Sequence, residues 1–153
     1  MLFMLTSATQ AQPDLVVSNI SLVNVPIYKR TYSGRTIKLP VRVTIRNIGR
    51  TSIRSNFDFQ LTTNYSSKFG TIRGGLARFQ SKTVTVYINV RSKDMLRYVK
   101  FTAYADRNRT TDDVYSGKIR ELRENNNSRS RYLKIPKYIY KPSHGGGGVI
   151  GGN

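Results

Sequence analysis

From Asp14 onward apolar and polar side chains alternate along the chain with the two-residue period of strands, and no segment keeps a helical period. In IKLPVRVTIRN, Ile37, Leu39, Val41, Val43 and Ile45 point one way and Lys38, Pro40, Arg42, Thr44 and Arg46 the other. That pattern predicts a half-buried strand with a basic outer surface. Pro40 lacks an N–H, so it is expected near the strand start or at a free edge. NFDFQLTT turns Phe57, Phe59 and Leu61 inward. SKTVTVYINV does the same with Val84, Val86, Ile88 and Val90, and YVKFTAYAD with Val99, Phe101, Ala103 and Ala105.

DLVVSNISLV changes phase, because Leu15 and Val17 fall on one parity and Ile20 and Leu22 on the other, so a bulge or a switch between sheets is expected there. RSRYLKIPKYIY reads as the last strand, with Arg131, Leu133 and Ile135 opposed to Tyr132 and Lys134. Turn residues at Ser33-Gly34, Asn47 to Gly49, Gly74-Gly75 and Asn125 to Asn127 punctuate the series. Six clear strands and a shorter one near Thr71-Ile72-Arg73 predict an all-β, antiparallel sandwich of about seven strands.

Composition narrows the chemistry. The 153 residues contain no Cys and a single His, His144, which sits beside a glycine tract. Disulfides, zinc–thiolate sites, Cys nucleophiles and His-centred triads are thereby set aside, and no cofactor is expected. Lys and Arg number 26 against 8 Asp and Glu, a formal charge of +18 that attracts polyanions and repels cations. Five of the acids, Asp106, Asp112, Asp113, Glu121 and Glu124, fall between residues 106 and 124. Arg107, Arg109, Lys118, Arg120 and Arg123 offset them there, so the excess charge lies on the strands and their turns.

The N-terminus, MLFMLTSATQAQPDL, resembles the end of a secretory signal, with cleavage expected after Ala11. The expected organisation is a signal remnant over residues 1–11, a sandwich over 12–140 and a flexible Gly-rich tail over 141–153. No other apolar run approaches the length of a membrane-spanning helix.

DLVVSNISL, VRVTIRNIG, GGLARFQSKTVTVYINV and YVKFTAYADRN followed by ELRENNNSRSRYLKI resemble the CARDB family of bacterial cell-adhesion-related domains. The most specific piece is the Glu124-Asn125-Asn126-Asn127 run after a strand ending in Ala105-Asp106, and the likeness spans residues 14 to about 136. It implies an immunoglobulin-like sandwich and an exported, non-enzymatic module that acts through its surface. Arg78-Phe79-Gln80 stands where the family usually has a Pro-Gly turn, and the chain is basic where such domains are commonly acidic.

If the last two strands pair, Tyr98, Lys100, Tyr104, Tyr132 and Lys134 share an exposed face suited to an acidic polymer, with rings for stacking and ammonium groups for anions. Arg42 and Arg46 project together from their strand and form a second, weaker candidate, although such charges also blunt edge-to-edge association. Asp106, Asn108, Asp112 and Asp113 begin a calcium-like oxygen set, but Arg107 and Arg109 oppose a divalent cation and intraloop pairing is the simpler reading, so no metal is assigned. Glu121 and Glu124 offer no evidence of a catalytic pocket.

The sequence therefore points to a secreted or cell-surface adhesion or binding module, not an enzyme, whose partner is an anionic polysaccharide, a cell-envelope polymer or another protein. The alternatives are a structural subunit that joins an assembly through its sheet edges and an intracellular nucleic-acid-binding protein. The latter draws on the high pI but lacks a recognisable nucleic-acid motif. Oligomeric state is left open.

Overall fold

The computed structural model describes residues 11–109 and 117–143. The signal-like stretch up to Gln10, the candidate ligands Asp112 and Asp113, and the tail from His144 onward lie outside the described residues.

Seven principal strands form two antiparallel sheets: β1 (Leu15–Leu22), β3 (Thr36–Asn47), β4 (Phe57–Thr62), β5 (Ser67–Ile72), β6 (Ser81–Arg91), β7 (Tyr98–Tyr104) and β8 (Ser128–Lys134). One sheet has the order β1-β3-β6 and the other β5-β4-β7-β8. This is an immunoglobulin-like sandwich. Two-residue strands β2 (Thr31–Tyr32) and β9 (Ile139–Tyr140) pair in parallel beside it.

The alternation sets the layers. Ile37, Leu39, Val41, Val43 and Ile45 of β3 are buried, and so are Phe57, Phe59 and Leu61 of β4 and Phe101 and Ala103 of β7. They join one apolar core drawn from both sheets. Each large side chain there contributes about 1.5–3 kcal/mol through its removal from water. Phe59 needs an empty neighbour: it pairs with Gly70 of β5, and a Cβ on Gly70 would lie 2.2 Å from the ring.

The expected phase change in β1 is a register shift between Val17 and Asn19, which returns Ile20 to the core. Three expectations are corrected. Pro40 lies inside β3, the central strand of its sheet, not at a strand start or a free edge. It is tolerated because its carbonyl accepts from Val23, so its missing donor points where the pairing with β1 has already ended at Leu22. The short strand at Thr71 is the six-residue β5, whose outer edge and Gly70 hide the alternation. Finally, RSRYLKIPKYIY is not one strand. Ile135 still bonds the backbone of Leu96 and Arg97, Pro136 cannot continue the ladder, and the chain turns to place Ile139–Tyr140 beside Thr31–Tyr32.

Candidate functional site

Strands β7 and β8 pair so that Tyr98 opposes Lys134 and Lys100 opposes Tyr132. Directly opposed side chains lie ~5 Å apart at Cβ, so rings and ammonium groups alternate in a compact square. All four residues are exposed, Tyr98 by 68% and Tyr132 by 63%. Tyr104 shares their parity but is only half-buried beside Gln60 and Ser128, so it forms the margin of the face. The structure thus brings together the five predicted residues, with Tyr104 least available.

Arg42 and Arg46 are on the other sheet, exposed on β3. They belong to a second surface, separated from the first by the thickness of the sandwich. Lys38 lies on the same outer face of β3, and its Nζ sits 5.4 Å from the ring centroid of Tyr87 on β6. Sequence reading placed Lys38 outward without joining it to Tyr87, because their proximity depends on the pairing of Lys38 with Asn89 and Pro40 with Tyr87.

The described carboxylates are used internally. Asp14 is buried and accepts from the Asn126 amide, and Asp94 pairs with Arg91 at 3.0 Å. Glu121 is buried and accepts from the Leu15 N–H and from Asn127. Asp58 meets Arg109 at 2.8 Å. Burial would raise the pKa of Asp58, but hydrogen bonds from Thr71 and Arg109 and the charges of Arg109 and Lys118 outweigh it and hold the carboxyl below the ordinary aspartate range.

Asp106 is also buried, at a positive φ of 48°, and its two carboxylate oxygens accept from the backbone N–H groups of Lys118 and Ile119. That commitment ties Asp106 to the Lys118–Ile119 backbone, while Asp112 and Asp113 lie outside the described residues. Among the described residues no group of three or more His, Cys, Asp or Glu side chains is placed to hold a metal ion.

Sequence reading also missed how the sheets are closed. Arg131 points with the inward parity of β8 and reaches across to Asn19 Oδ1 at 2.8 Å and to the Ile20 carbonyl, while Arg129 donates to the Ser18 carbonyl. These arginines thus serve the fold, whereas Lys100, Lys134, Tyr98 and Tyr132 remain on the surface.

The two sheets and their strand order form a CARDB-like β-sandwich. Two solved structures share it. The crystal structure of the CARDB domain of the PF1109 protein from Pyrococcus furiosus, in complex with di-metal ions, matches with a TM-score of 0.52 at 18% identity, covering 81% of this chain and 89% of that one. The solution NMR structure of the same domain matches with a TM-score of 0.51 at 17% identity, covering 82% and 97%. No family model matches the sequence, and no curated protein does. Among the described residues no helix is long and apolar enough to cross a membrane.

Proposed function

We propose that this domain is a secreted or cell-surface, non-enzymatic adhesion or binding module that contacts anionic polymers through basic, Tyr-bearing surfaces. The observation that carries the reading is the Tyr98–Lys134 and Lys100–Tyr132 square on β7 and β8, exposed on a chain of net charge +18. The described carboxylates that would neutralise it are occupied within the fold. Long-range attraction would concentrate an acidic polymer at the surface, and ring contacts would then hold individual residues of it. The signal-like start favours export.

A panel of acidic polysaccharides, neutral glycans, DNA and RNA, titrated across a salt series, tests the proposal. Acidic polysaccharide is expected to bind at physiological salt, and the Tyr98→Ala/Tyr132→Ala double variant to weaken it about tenfold, equivalent to about 1.4 kcal/mol. Preference for DNA or RNA would favour the nucleic-acid reading. Equal binding to every polyanion, lost with modest salt and unchanged by the double variant, would reduce the surface to bulk charge. The free outer edge of β8 gives less support to assembly through strand addition, because Arg129, Arg131 and Lys134 charge that strand.

A further inference from the structure

Tyr87 is 55% exposed and forms, with Lys38 and Thr85, the wall shared by two clefts of about 460 and 430 Å3. The first runs between β6 and β5 and adds Lys68. The second runs toward the segment before β2 and adds Lys29 and Arg42. No carboxylate lines either cleft. None of these four cations makes an ion pair among the described residues, where the pairs are Arg91–Asp94 and Arg109–Asp58.

We propose that this Tyr87 wall, with Lys29, Lys38, Lys68 and Arg42, is a second binding site for a carboxylated or sulfated saccharide, on the sheet opposite the β7–β8 face, and that the domain is therefore bivalent. The inference rests on the proposed binding of anionic polymers and adds a location and a stoichiometry. The chemistry on both sides of the ring suits an acidic sugar chain. Val84 in one cleft and Val23 in the other, both half-buried, offer apolar surface to sugar C–H faces. Thr85 and Asn89 offer hydrogen bonds to hydroxyls, and the four cations meet the acidic substituents. Lys38, stacked over the ring, fixes a positive charge beside the platform.

A single-stranded nucleic acid is matched less well, because successive bases need successive exposed rings. Here the other tyrosine of the groove, Tyr138, is only 7% exposed and serves as part of the wall. A chain crossing Tyr87 passes from the Lys68 cleft to the Lys29 and Arg42 cleft. A chain on β7–β8 lies on the far side of the sandwich, so one domain can bridge two polymer strands.

Isothermal titration of the whole chain at about 150 mM salt, with a heparin-derived hexasaccharide, an oligogalacturonate hexasaccharide and a neutral maltohexaose, tests the proposal. Two saccharides per chain are expected for at least one acidic probe and none for the neutral one; the two acidic arms separate sulfate from carboxylate. Lys38→Ala/Tyr87→Ala is expected to leave one site, Tyr98→Ala/Tyr132→Ala to leave the other, and the quadruple variant none. These side chains are exposed, and an unchanged thermal midpoint verifies that each variant is folded. Two sites retained after Lys38→Ala/Tyr87→Ala would overturn the second site while leaving polymer binding intact. Absence of binding to both acidic probes by the wild-type chain would overturn the functional reading and this inference with it.

Discussion

At the scale of single residues the fold depends on a few positions where one atom decides the outcome. Gly70 gives the Phe59 ring its place, and an added Cβ would stand 2.2 Å from that ring. Gly70→Ala is therefore expected to lower unfolding stability by about 1–3 kcal/mol in urea titrations, with the slope against urea unchanged. Asp58 gives a pH signature. Its folded pKa lies below the ordinary value, so its contribution is present above the unfolded pKa of about 3.9 and disappears as pH falls through the folded one. The partly solvated Arg109 partner keeps the effect modest. Thermal midpoints measured against pH should show Asp58→Asn below wild type from pH 5 to 7 and the two curves drawing together as pH falls below the unfolded value. A constant gap at all pH values would mean that the loss comes from packing or from the Thr71 hydrogen bond.

Elements are joined by buried polar groups as much as by the core. Glu121 accepts from the Leu15 N–H and from Asn127 at 2.9 Å, while Leu122 donates its N–H to the Pro13 carbonyl, so the segment before β8 is fastened to the start of β1. Glu121→Ala strands both donors in the interior and is expected to cost about 3 kcal/mol. Glu121→Gln should recover most of that in the same unfolding measurement. Its oxygen keeps the Leu15 bond, and the Asn127 amide can turn so that Oδ1, which has no partner among the described residues, accepts from the new NH2 group. Sequence patterning revealed β3, β4, β6 and β7 because each has one wet and one dry face, and parity alone exposed the irregularity in β1. It understated β5, where Gly70 replaces an inward side chain, and it ran β8 through Pro136, since tyrosines continue beyond a proline that no periodicity weighs. The β7–β8 surface was legible because it needs only two neighbouring strands and their parity. The Tyr87 wall was not, because Lys29, Lys38 and Lys68 come from three separate segments, of which only β3, carrying Lys38, is paired with the strand of Tyr87. Arg131 misled in another way: an inward arginine makes sense only when Asn19 and Ile20 stand opposite it.

For the molecule as a whole, the same charge acts in two opposite directions. A net +18 on 153 residues repels itself in the folded state, and pairs such as Arg91–Asp94 and Arg109–Asp58 offset little of it. Repulsion among surface cations reaches ~30 Å at 0.01 M salt and only ~8 Å at 0.15 M. Raising sodium chloride over that interval should therefore increase the thermal midpoint of the free protein, because screening relieves the folded state more than the expanded chain. The same increase should weaken any acidic polymer it holds, because bound counterions then compete for the lysines and arginines. Adding a saturating acidic saccharide should remove the first effect. With its cations neutralised by the polymer, the complex has little self-repulsion left to screen, and its midpoint should stay level or fall as salt rises. A free protein whose midpoint falls with salt would show that internal pairs such as Asp58–Arg109 outweigh the surface repulsion, and the +18 would then have no standing as a reserve of binding energy.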